Sequence, residues 1–144
     1  MPRLDTSRPP TPHEEVQRWV LDSYTELRAL RTSLQKALTG QPLPDGGTLD
    51  EIPEKMAVVA TELATNALTH AHPPTVVRLL RTEKSFILDV ADEEPDVPPE
   101  VAADRVPGTG GLGLQLAQKL ALEVGWYVDG EVKHVWADFP IPPA

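Results

Sequence analysis

A chain of 144 residues with 40% apolar content can bury the core of one ordinary domain without a metal or disulfide. Its lack of cysteine excludes disulfides, cysteine-ligated metal and a cysteine nucleophile. A formal net charge of −9 argues against a nucleic acid as direct partner, because that binding rests on clustered Lys and Arg that neutralise phosphates.

Residues 1–15, MPRLDTSRPPTPHEE, lack the apolar centre of a signal peptide, and no stretch approaches the roughly 18 apolar residues of a membrane span. A cytoplasmic protein with no membrane partner is expected. The sixteen prolines, about twice the usual usage near 5%, fall between patterned segments. Residues 1–10 read as a flexible leader and 11–144 as a single domain. Thr11-Pro12-His13-Glu14 matches a helix start, with Thr at the N-cap and Pro at the first helical position. Val16, Trp19, Val20, Leu27, Leu30, Leu34 and Leu38 continue at three- and four-residue steps until Gly40, which predicts one helix over 11–39, about 40 Å long at 1.5 Å per residue. Its apolar stripe either packs on its own domain or in part meets a second subunit, as in a homodimer, or another partner.

Residues 41–49 read as a loop. A second helix is predicted from about Asp50 to the residues before Pro73-Pro74, since the residue preceding a proline is pushed out of the α region. In its AVVATELATNALTHAH segment, Glu62, Asn66 and His70 follow one another at four-residue steps, so each is turned about 40° from the last. Met56, Val59, Ala60, Leu63 and Ala67 supply a separate apolar face. Taken singly, the three polar residues fit a solvated helix surface.

Thr75–Arg81 and Ser85–Ala91 read as strands around a Thr-Glu-Lys turn, with Phe86, Leu88 and Val90 on one face. Asp92 to Pro107, acidic and broken by prolines, reads as a long loop. Gly108-Thr-Gly-Gly-Leu-Gly113 then opens a helix carrying Leu114, Leu116, Ala117 and Leu120. A glycine-rich turn feeding a helix N-terminus suits an anion, because backbone N–H groups can approach it closely. Glu123–Val128 and Val132–Phe139 close the chain as a hairpin, with Trp126 and Trp136 as core or sheet-face residues.

A helix with ExxxNAxxH, a strand ending in Asp, a long loop and GxGGLGL resembles the GHKL ATPase superfamily, the Bergerat nucleotide-binding fold. Within it the chain is most similar to anti-sigma-factor serine/threonine kinases of Gram-positive bacteria, particularly the short actinobacterial type, over about residues 50–139. The resemblance implies an α/β (α+β) two-layer sandwich: a mixed, mostly antiparallel sheet with helices on one face. It implies ATP and Mg2+ as cofactors, Asn66 as a Mg2+ ligand and Glu62 as the general base that orients or deprotonates the attacking hydroxyl. Asp92 would accept the adenine amino group. Gly108, Gly110, Gly111 and Gly113, with Leu114 after them, would close over the phosphates, and His70 would sit near the phosphates or cap the helix. The implied partners are a sigma factor and an anti-sigma-factor antagonist whose serine is phosphorylated.

The pattern departs from the superfamily at two places. The usual DxGxG is Asp92-Glu93-Glu94-Pro95-Asp96, with Glu94 and Asp96 where glycines belong. The adenine-pocket threonine is expected to be replaced by His134. These departures support an alternative, a binding module of the same fold that sequesters a regulatory protein with weak or no ATP binding. A two-component histidine kinase is disfavoured, since no phospho-acceptor helix pair is recognisable.

Overall fold

The computed structural model describes residues 6–44, 46–71, 74–93 and 112–142. Within them five strands form one sheet in the order β1-β2-β3-β5-β4, every neighbouring pair antiparallel. The elements are β1 (Glu14–Leu21), a 3-10 turn (Tyr24–Glu26), α1 (Leu27–Thr39), α2 (Ile52–His70), β2 (Thr75–Arg81), β3 (Ser85–Asp92), α3 (Leu112–Leu120), β4 (Glu123–Asp129) and β5 (Val132–Pro140). The three helices pack on one face of the sheet, giving the expected α+β two-layer sandwich.

The predicted helix over 11–39 is corrected: its first half is strand β1, and only Leu27–Thr39 is helical. The cause is a β-bulge. Glu15 pairs with Leu80 and Gln17 with Leu79, so Val16 is an extra residue with no partner of its own. A bulge shifts the two-residue period by one, so Val16 and Trp19, three apart, both pack against the same core. That spacing imitates a helix. The break before α1 comes from Glu26, whose carboxylate accepts the backbone N–H groups of Asp22 at 2.8 Å and Ser23 at 3.2 Å, a capping arrangement that ends the extended chain.

The inner core lies between the helices and the sheet. Leu30, Leu34 and Leu38 of α1 and Met56, Val59, Ala60 and Leu63 of α2 meet Val77, Leu79, Phe86, Leu88, Val90, Val135, Ala137 and Phe139 of the strands. Most of the stripe from Val16 to Leu38 packs inside the chain, whereas Val20 is exposed. All eight residues of β3 are buried, so the central strand is covered on its outer face as well. Leu80, Ile87, Tyr127 and the fully buried Trp136 make a second cluster there, while Trp126 packs against the main core.

Part of that outer cover is a strap over residues 6–13. Thr6 bridges Trp126 of β4 in parallel, Ser7 donates its N–H to the Trp126 carbonyl at 2.8 Å, and the Trp136 indole N–H donates to the Ser7 carbonyl at 2.8 Å. Arg8 lies over the Tyr127 ring, 4.5 Å from its centroid, a cation–π contact. Pro9 is buried. From there the chain reaches Glu14 on the opposite edge of the sheet. Gly125 makes the close approach possible: a Cβ there would collide with the Ser7 hydroxyl and come within 2.6 Å of the Trp136 ring. Gly125→Ala is expected to cost about 1–3 kcal/mol through this overpacking, read from urea unfolding, and a variant as stable as wild type would show that the strap does not rest on β4.

Asp138 of β5 is 6% exposed and opposes Glu123 across the strand pair. Burial pushes its carboxyl above the ordinary value of 3.8, against a smaller downward pull from a Ser85 hydrogen bond. The folded state thus binds the proton more tightly than the unfolded one, so stability falls as pH rises from 3.8 through the raised folded value and the cost is complete above it. Asp138→Asn is expected to unfold at higher urea than wild type at neutral pH, with the gain fading as pH falls through the raised folded value and gone below 3.8. An equal gain at both pH values would exclude the charge as the cause.

Candidate functional site

Helix α2 is apolar where it faces the sheet and polar along one side. Ile52, Met56, Val59, Ala60, Leu63, Ala64 and Ala67 are buried, while Glu62 and Asn66 are half-buried at the rim of that face and His70 is exposed in the last turn. Beside them runs a second polar line, whose hydroxyls bond back to the helix's own carbonyls. The hydroxyls of Thr61, Thr65 and Thr69 donate to the carbonyls of Ala57, Thr61 and Thr65 at 2.8, 2.6 and 2.7 Å. Among the described residues, no hydrogen bond or ion pair engages the side chains of Glu62 or Asn66. The same helix packs on β2, β3 and α3, so the strand that ends in Asp92 and the helix that follows the glycines both flank it.

Asp92 is the last residue of β3 and is buried. Its register partner on β5 is Lys133, and the Lys133 ammonium stands 3.6 Å from the Asp92 carboxylate, with 11% and 7% of the two side chains exposed. Val90 and Val135, paired two residues back on the same side, belong to the inner core, so Asp92 and Lys133 project on the helix side.

This corrects the expectation for His134. Side chains alternate along a strand, and His134 opposes Ala91 rather than Asp92. It therefore lies on the outer face, where its Nδ1 is 2.9 Å from the Asp89 carboxylate. Lys133 occupies the place beside Asp92 instead. Nothing in the residue types distinguishes positions 133 and 134; only the pairing register does.

Asp89 centres a polar cluster on that outer face. It is fully buried and paired with Arg78 at 3.1 Å. Tyr127 stacks on His134 with ring centroids 4.6 Å apart and planes 2° from parallel. Burial works against the Arg78 charge, but the adjoining Asp89 carboxylate more than offsets it and raises its pKa. Burial first, then the Asp89 charge, raises that of the Tyr127 phenol. At the rim, Glu15 meets Arg18 at 2.9 Å and Arg78 at 3.5 Å, and the Arg18 hydrogen bond leads in holding its carboxyl below the ordinary range. The cluster satisfies buried charge and faces away from α2. Its signal in the sequence was a lone Asp inside the apolar run SFILDVA, a position where a carboxylate must find partners.

Of the glycines, Gly113 lies in the first turn of α3, and Leu114 after it is buried in the main core. Gly108, Gly110, Gly111 and the acidic loop with Glu94 and Asp96 lie outside the described residues. Among the described residues no group of three or more His, Asp or Glu side chains could hold a metal alone, and no helix is long and apolar enough to cross a membrane. The donor set at α2 fits Mg2+, which prefers oxygen and commonly takes one or two protein ligands together with phosphate oxygens and water. The Asn66 carboxamide oxygen is such a ligand, and no described side chain competes for it.

An antiparallel sheet with its helices on one face, and a carboxylate and a carboxamide one turn apart on the rim of the helix beside the last residue of a central strand, defines a Bergerat-type architecture. The family model for the histidine kinase-like ATPase domain matches residues 22–139. The chain belongs to that family, within the GHKL superfamily. The match opens at Asp22, so the strap and β1 lie outside it. A search of curated proteins finds no match for the chain.

Proposed function

We propose that the protein is an ATP- and Mg2+-dependent serine/threonine kinase of the anti-sigma-factor type, which binds a sigma factor and phosphorylates a serine of an antagonist protein. The observation that carries the reading is the pair Glu62 and Asn66, one helical turn apart at the rim of α2 and unengaged by any described side chain. Asn66 would hold Mg2+, whose bound charge offsets that of the phosphates. Glu62 would accept the proton of the attacking serine hydroxyl as the new O–P bond forms, and the bond from the γ-phosphorus to the β,γ-bridging oxygen breaks, releasing ADP. Protein partners also suit a net charge of −9. Incubation with labelled ATP and candidate antagonists tests the reading: label on an antagonist serine, lost in Glu62→Ala, supports it, and no transfer to any cognate antagonist opposes it.

The ion pair between Asp92 and Lys133 favours a second reading, a binding module that sequesters a regulatory protein without phosphoryl transfer. A cation already beside the carboxylate weakens its attraction for the adenine amino group. Calorimetry separates the two: no heat with Mg·ATP alongside tight partner binding selects the module.

A further inference from the structure

We propose that Lys133 is a base-reading residue of the nucleotide site, acting with Asp92 to admit a 6-oxopurine nucleotide, guanine or hypoxanthine, alongside adenine. This rests on the reading above that places the nucleobase at Asp92. The register sets the two residues opposite each other on the helix side of the sheet, the ammonium 3.6 Å from the carboxylate. Both are buried, so a base edge that reaches Asp92 also meets the Lys133 ammonium beside it.

A hydroxyl at this place could donate or accept by rotating, but an ammonium has three donors and no acceptor, and an ionised carboxylate only accepts. The pair therefore suits a base edge with an acceptor next to a donor. The adenine edge answers with its N6–H on Asp92 and its ring N1 on Lys133. The guanine edge answers more fully: N1–H and N2–H can both reach the carboxylate, and the O6 carbonyl takes the ammonium. Hypoxanthine keeps N1–H and O6. A carbonyl oxygen is a stronger partner for a charged donor than an aromatic ring nitrogen, and charge-assisted bonds are roughly twice as strong as neutral ones. Replacing a neutral reader with a cation thus moves selectivity towards the 6-oxo bases.

The test is titration of the full chain with fluorescent ATP, GTP and ITP analogues in Mg2+, for wild type, Lys133→Thr and Lys133→Met, with urea midpoints to confirm folding. Methionine keeps the packing of the lysine stem and removes the donor. Wild type is expected to bind the GTP and ITP analogues about as tightly as the ATP analogue. Both variants are expected to lose affinity for the 6-oxo bases relative to ATP by roughly tenfold or more, the scale on which an unanswered hydrogen-bonding group discriminates. A wild type that binds ATP but rejects GTP and ITP, or variants that leave the ratio unchanged or lose all three nucleotides alike, would overturn the role of Lys133 while leaving an ATP site intact in wild type. Failure of every nucleotide to bind wild type and both folded variants would overturn the nucleotide-site reading itself.

Discussion

Arg78→Met is expected to lower the unfolding free energy by about 3–5 kcal/mol, the cost of stranding one member of a buried ion pair. Asp89 is fully buried on the central strand, with Arg78 at 3.1 Å, His134 at 2.9 Å and the Tyr127 hydroxyl at 3.5 Å. Without the guanidinium, the carboxylate keeps an imidazole and a distant phenol in place of a permanent cation. Arg78→Met combined with Asp89→Leu is expected to recover most of the loss, because apolar residues in place of a whole buried pair are often neutral or stabilising. Urea unfolding of the two single variants and the double variant measures the coupling. A loss below about 1 kcal/mol in Arg78→Met would place the pair with solvent-exposed ion pairs and refute the assignment.

Asn66→Ala and Glu62→Gln are expected to fail in different ways. Removing the carboxamide should weaken Mg·ATP binding by at least the roughly 10- to 100-fold that disturbing even an outer partner of a metal costs. Glu62→Gln keeps the shape and loses the base, so nucleotide affinity should hold while phosphoryl transfer falls by about 10²–10⁴, the usual contribution of a positioned general base. Both residues stand at the rim of α2, where truncation opens no cavity in the buried core. Calorimetry for binding and single-turnover transfer for chemistry separate the two effects. Equal losses in both measurements for both variants would dissolve the division of roles between Asn66 and Glu62.

The sequence showed α2, the β2–β3 hairpin and the closing hairpin nearly as they are, and α3 as a helix after the glycines, because each carries a local period of 3.6 or 2. It misread β1 because one bulged residue, Val16, turned a strand period into a helical one. The contacts of Thr6 and Ser7 with Trp126 and Trp136 were not legible in it, because the partners are more than a hundred positions away and no local pattern records such a contact.

The site divides in the same way. By itself the sequence determined that Glu62 and Asn66 share one side of α2, since that follows from helical geometry within a single element. Only the tertiary structure decided which residue meets Asp92. That depends on how β5 is registered against β3, and a slip of one position exchanges the faces of every side chain on the strand. Register is set by Leu88, Val90, Val135 and Ala137 burying themselves together, and it assigns Lys133 to the inner face and His134 to Asp89 on the outer one.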